Sequence, residues 1–142
     1  MQSVKPRVLF LCIHNSGRSQ MAEAYLKKLG GNRFDVESAG LEPGKLNPLV
    51  VKVMVEDGID ISSNATKDVF SFHEKGVTFN YVITVCDAKN SERCPYFPGE
   101  KRIAWDFEDP SSFQGSKEEK LIKTRSIRDQ IKVAVENFVA SN

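Results

Sequence analysis

Cys12 and Arg18 bound the stretch Cys12, Ile13, His14, Asn15, Ser16, Gly17 and Arg18, which lies between an apolar run ending at Leu11 and an amphipathic run starting at Ser19. A strand that turns through a short loop into a helix start aims successive backbone N–H groups at one point, and the helix dipole adds positive potential there. Arg18 contributes a planar fork suited to a tetrahedral oxyanion. The field that holds an oxyanion also stabilises a thiolate, which makes Cys12 the candidate nucleophile. The same step taken from the other two cysteines, Cys86 and Cys94, lands on Glu92 and Glu100, so only Cys12 has this setting. Cysteine is more often simply buried, but the polar run His14, Asn15 and Ser16 does not suit a core position.

A nucleophile and a clamp still need a proton donor for the leaving group. Asp109 is the candidate, because Pro110 fixes the backbone beside it; Asp106 and Glu108 are rivals that the sequence leaves open. Cys86 and Cys94 bear on the reaction class. Ester hydrolysis through a cysteinyl-phosphate needs neither. A redox enzyme needs a second thiol to attack the first sulfur, and a third can pass the disulfide outward. Both classes stay open at this level, with redox favoured. A non-catalytic oxyanion-binding module, which would need neither the acid nor the extra thiols, is a third possibility.

The elements that must position these residues follow from periodicity. Arg7 to Leu11 and Tyr81 to Val85 are short continuous apolar runs, as expected of strands buried on both faces. Phe34 to Ser38 alternates and predicts a more peripheral strand, ended by Ser38, Ala39 and Gly40. Arg102 to Phe107 predicts the fourth. From Ser19 to Leu29, Met21, Ala22, Tyr25, Leu26 and Leu29 share a helix face, with Glu23, Lys27 and Lys28 opposite. Asn47 followed by Pro48 marks a helix start, and Gly58 its stop. A short helix or turn is expected from Asp68 to Lys75, and a long helix from Lys117 to Val139.

Strands alternating with helices imply right-handed crossovers: an α/β fold, one domain over residues 1–142, with a four-stranded parallel sheet flanked by helices on both faces. Ligands in such sheets bind beyond the carboxyl ends of the strands. Cys12, Ser38, Cys86 and the Asp106 to Asp109 group should therefore meet at one edge.

Bulk properties narrow the partners. The 142 residues carry 20 Lys and Arg against 19 Asp and Glu, a net charge of +1, which favours neither nucleic acid nor an anionic membrane. The apolar stretch near the N-terminus is of strand length and ends in polar residues, so a cytoplasmic chain without leader or membrane span is expected. Three cysteines, an odd number, do not make a disulfide framework. The two histidines, His14 and His73, form no ligand pair with them, so no metal site is expected.

CIHNSGRSQMAEAYL from Cys12, ESAG at 37–40, GIDIS at 58–62, VITVC ending at Cys86, CP at 94–95 and WDFEDP at 105–110 together resemble the arsenate reductases built on the low-molecular-weight tyrosine phosphatase fold. The resemblance runs nearly the whole length and implies a chemistry. Cys12 would attack arsenate held by the loop and Arg18, Ser19 would hydrogen-bond the thiolate, and Asp109 would protonate the departing oxygen. Cys86 would attack Cys12 and release arsenite, Cys94 would attack Cys86, and thioredoxin would reduce the resulting disulfide. Phosphate or sulfate would act as substrate mimics, no cofactor would be tightly bound, and the chain is expected to be a monomer.

Three departures from the family pattern stand out. Gly17 replaces a cysteine that some relatives carry outside the relay. The step from Cys86 to Cys94 is one residue longer than in some. Relatives hold a potassium ion with residues matching Asn15, Glu23 and Ser38 and with an aspartate where this chain has Lys67; an ammonium there would brace the loop without potassium. The alternative within the same fold is a tyrosine phosphatase, which typically has aromatic residues after the Asp-Pro pair, where this chain has Ser111 and Ser112.

Overall fold

The computed structural model describes residues 5–86 and 96–142. Four strands, β1 (Arg7–Cys12), β2 (Asp35–Gly40), β3 (Tyr81–Thr84) and β4 (Lys101–Ala104), form one parallel sheet in the order β2-β1-β3-β4. β1 is central, and Val8, Leu9, Phe10 and Leu11 are fully buried, as its continuous apolar run requires. The helices are α1 (Arg18–Gly30), α2 (Pro48–Glu56), α3 (Val69–Glu74) and α4 (Lys117–Ser141).

The two-residue period of β1 divides the interior into two layers. Val8, Phe10 and Cys12 face a cluster that includes Met21, Tyr25 and Leu26 of α1, Val50 and Met54 of α2, and Ile127, Ile131, Val135 and Phe138 of α4. Leu9 and Leu11 face the other side, where Val69 and Phe72 of α3 pack with Phe79, Val82 and Phe97. Helices therefore cover both faces of the sheet. The nucleophile candidate lies on the side of the larger core because its parity matches Val8 and Phe10.

The helix ends follow local chemistry. Asn47 caps α2 by accepting from the Leu49 N–H at 2.9 Å, with Pro48 in the first turn. Ser116 and Glu119 form a reciprocal capping box on α4. After α1 the chain reverses through Gly31 at φ +56°, a left-handed conformation that favours glycine. Among the described residues, no helix is long and apolar enough to cross a membrane.

Two expectations are corrected. The fourth strand ends at Ala104, well short of Phe107. Trp105 and Phe107 have strand-like chemistry but are used for packing: the Trp105 ring lies 5.9 Å from Phe10 and 6.2 Å from Phe107, and the backbone leaves the sheet to reach the site. The second strand extends to Gly40, so Ser38 lies within it, because Ala39 and Gly40 continue to pair with Leu11 and Cys12.

Three helices are joined at one carboxylate. Asp57, at the C-terminal end of α2, accepts from the Tyr25 hydroxyl at 2.7 Å and from Lys132 at 3.1 Å. These two hydrogen bonds hold the Asp57 carboxyl below its ordinary range, and burial together with Asp57 raises the Tyr25 phenol. A depressed carboxylate stabilises the fold above its unfolded pKa, near 4, and loses that contribution as pH falls through the lower native value. Asp57→Asn is expected to cost about 1 kcal/mol at neutral pH and to flatten the loss of stability below pH ~4. Urea midpoints measured from pH 3 to 7 test this.

Candidate active site

The loop from Cys12 to Arg18 joins the end of β1 to the start of α1. Its outer side is satisfied by a single connecting segment. The Ile13 carbonyl accepts from the Glu42 N–H at 2.8 Å, His14 from Gly44 at 3.1 Å and Ser16 from Asn47 at 3.0 Å. In a trans peptide the N–H points opposite to the preceding carbonyl. The N–H groups of His14, Asn15 and Gly17 are therefore turned inward, where an oxyanion would sit.

Cys12 is a free thiol, 2% exposed, at the centre of this ring. Its sulfur accepts from the Asn15 N–H at 3.1 Å and lies 2.8 Å from Ser19 Oγ. Arg18 is only 3% exposed; one of its N–H groups donates to the Phe107 carbonyl at 2.9 Å, and another lies 3.6 Å from Asp109 Oδ2. The departure of the chain from β4 thus serves to anchor the clamp. Asp106 and Glu108 are exposed, whereas Asp109 pairs with Arg18 and also accepts from the Ser111 N–H at 2.9 Å. Asp109, the candidate on sequence grounds, is thus the acid that lies beside the Arg18 clamp.

Asn15 occupies the left-handed region at φ +53° and is fully buried. Its Nδ2 donates to Ser19 at 2.7 Å and to Ser38 at 3.0 Å, while its Oδ1 accepts from Gln20 Nε2 at 3.0 Å and from the Lys67 N–H at 2.9 Å. Ser38 donates to Glu23, whose carboxylate also takes Lys67 Nζ at 3.2 Å and Lys27 Nζ at 2.7 Å. Glu23 is 4% exposed, which corrects its placement on the outer face of α1. Two ammonium groups and a hydroxyl offset the cost of burying it.

Cys86 follows β3, is 7% exposed, belongs to the same core cluster as Cys12 and is disulfide-bonded. Cys94 lies outside the described residues. Hydrogen bonds and ion pairs link Cys12, Ser19, Asn15, Ser38, Glu23 and Lys67 in one network, and Arg18 with Asp109 in a second pair. Among the described residues, no group of three His, Cys, Asp or Glu side chains could hold a metal ion. Helical periodicity missed Gln20, because the start of α1 is buried on every side; a polar residue in the first buried turn was the available signal.

Residues 7–141 match the low molecular weight phosphotyrosine protein phosphatase family. The chain belongs to that family. Within this phosphatase family its relatives include an arsenate reductase of Bacillus subtilis, 42% identical over 135 residues, covering 92% of this chain and 93% of the relative. One of Oceanobacillus iheyensis is 42% identical over 131 residues, covering 89% and 90%. Among solved structures, an arsenate reductase in the phosphate-binding state superposes with a TM-score of 0.78 at 33% identity, covering 96% of this chain and 98% of that one. A thioredoxin-dependent arsenate reductase of Corynebacterium glutamicum gives 0.70 at 29% identity, covering 96% of this chain and 60% of the other.

The phosphatase-family loop rests on one glycine. A methyl group on Gly40 would lie 2.8 Å from both the Asn15 nitrogen and the Ile13 carbonyl oxygen, which are backbone atoms that cannot rotate away. Gly40→Ala is expected to cost about 1–3 kcal/mol of stability and to weaken phosphate binding, measured by urea unfolding and by calorimetric titration with phosphate.

Proposed function

We propose that this protein reduces arsenate to arsenite, with Cys12 as nucleophile and a thiol relay that is re-reduced by thioredoxin. The observation that carries this reading is the pairing of a free, hydrogen-bonded Cys12 in an anion cradle with a disulfide-bonded Cys86 in the same buried cluster. The names of the relatives supply the substrate, and the Corynebacterium glutamicum structure supports the reductant.

The inward N–H groups and Arg18 hold the oxyanion. Ser19 donates to the Cys12 thiolate, which attacks arsenic, and Asp109 gives a proton to the departing oxygen, so that it leaves as water. Cys86 as thiolate then attacks the Cys12 sulfur. The sulfur–arsenic bond breaks, its electron pair stays on arsenic, and arsenite leaves with a Cys12–Cys86 disulfide behind. Two thiols give up two electrons, which matches As(V) to As(III). Cys94 next attacks Cys86, freeing Cys12, and thioredoxin reduces the Cys86–Cys94 disulfide. This chemistry belongs in the cytoplasm, where thiols are kept reduced.

Hydrolysis of phosphate monoesters is the second reading, favoured by membership of the phosphatase family. Ser111 and Ser112 after Pro110 offer no aromatic slot for a phosphotyrosine ring, and Ser111 Oγ instead accepts from Asn47 at 3.2 Å. Cys12→Ser is expected to abolish both activities. Cys86→Ser is expected to reduce multiple-turnover arsenite release to background while leaving any phenyl phosphate hydrolysis intact. Both activities are measured in parallel, with thioredoxin as reductant; full turnover by Cys86→Ser would reject the relay.

The same site does not fit a potassium ion. Lys67 Nζ lies 3.2 Å and 3.4 Å from the two Glu23 oxygens, and both acceptor directions of Asn15 Oδ1 are taken. Lys67 supplies the positive charge from within the chain and braces the loop through Glu23, Ser38 and Asn15. Exchanging sodium for potassium is expected to leave the reduction rate unchanged, whereas Lys67→Asp is expected to lower the rate in sodium and make it respond to potassium. Steady-state kinetics at constant ionic strength read both.

A further inference from the structure

Gln20 has no assigned role, yet it is fully buried in the first turn of α1 and every polar hydrogen of its amide is used. Its Nε2 donates to Asn15 Oδ1 at 3.0 Å and to the Ala65 carbonyl at 3.0 Å, and its Oε1 accepts from Asn64 at 3.2 Å. We propose that Gln20 is a positioning residue for the nucleophile: it orients the Asn15 side chain and, through it, directs the Ser19 hydroxyl at the Cys12 sulfur. The proposal rests on Cys12 being the nucleophile, whatever oxyanion it attacks.

Donor and acceptor chemistry fixes the orientation of both amides. The Ala65 carbonyl can only accept, so the Gln20 atom facing it is Nε2, and the second hydrogen on that nitrogen points to Asn15. The Lys67 main-chain N–H can only donate, so the Asn15 atom that meets both groups is Oδ1. The two Nδ2 hydrogens of Asn15 are then committed to Ser19 and Ser38. Ser38 passes its own hydrogen to Glu23. Ser19 accepts from Asn15 and lies 2.8 Å from the Cys12 sulfur, which as a thiolate can only accept the Ser19 hydrogen. The series Gln20, Asn15, Ser19, Cys12 therefore runs with one polarity, each group donating to the next. It ends on the atom that must carry negative charge, and aligned hydrogen bonds strengthen one another.

Lys67 alone cannot substitute for Gln20. By holding the Ala65 carbonyl, Gln20 also sets the register of the segment from which the Lys67 N–H comes. Removing the glutamine amide frees one acceptor direction of Asn15 and loosens the donor on the other. It also leaves the Ala65 carbonyl without its Gln20 donor.

The test reads the thiolate directly and needs no arsenate. In fully reduced protein, the rate of iodoacetamide alkylation of the Cys12-containing peptide is followed by mass spectrometry as a function of pH. Gln20→Met keeps length and apolar volume but removes all donors. Its half-maximal alkylation is expected to move up by about one pH unit, and that shift is expected to vanish when Gln20→Met is placed on Ser19→Ala, since the effect runs through the hydroxyl. An unshifted profile in folded Gln20→Met overturns the proposal, as does a shift that adds fully to that of Ser19→Ala. If Gln20→Met does not fold, Asn64→Ala removes only the exposed partner of Oε1. It is expected to give a smaller upward shift that is again absent in Ser19→Ala, and an unchanged profile overturns the proposal equally. Failure of arsenate reduction in the parent protein would reject the substrate while leaving this result standing.

Discussion

A single left-handed residue, Asn15, is the constraint on which the site depends. The loop must reverse within a few residues to bring its N–H groups around Cys12, and it does so at φ +53° without a glycine. A non-glycine residue there costs about 1–3 kcal/mol, less for asparagine, whose short polar side chain suits that region. Four side-chain hydrogen bonds offset the cost, at roughly 0.5–1.5 kcal/mol each. Those bonds reach α1, β2 and the segment before α3, so the strained residue also holds three parts of the fold together.

The sheet decides which core the chemistry faces. Because side chains on β1 alternate, Cys12 shares a side with Val8 and Phe10, and a slip of one residue would turn it toward Leu9, Leu11 and α3. Full burial of both sets specifies the register strongly. Arg18 is held from a different direction, by the carbonyl of Phe107, so the nucleophile is aligned by β1 and the clamp by the segment that follows β4.

Much of this was legible in the sequence wherever a local pattern carried the signal. The apolar runs around Phe10 and Ile83, the Asn47-Pro48 helix start and the Cys12 to Arg18 spacing each state their own structure. What was not legible depends on tertiary partners. Glu23 reads as a surface residue by helical period and is buried because Lys67 and Ser38 arrive from elsewhere in the chain. Trp105 and Phe107 read as strand and are used as packing. Asp109 separates from Asp106 and Glu108 only through its distance to Arg18, and Gln20 is given meaning only by the backbone of Ala65.

The connector that covers the outer carbonyls of the loop has a further thermodynamic consequence. Glu42, Gly44 and Asn47 satisfy the outward carbonyls of Ile13, His14 and Ser16, which leaves like partial charges converging on the other side of the loop. In the free protein these dipoles repel one another, so the cradle is a locally frustrated part of an otherwise consistent fold. Binding an oxyanion turns that repulsion into attraction with little rearrangement, because the conformational entropy was already lost when the chain folded. The loop is thus a place where folding free energy is held in reserve and released by the anion.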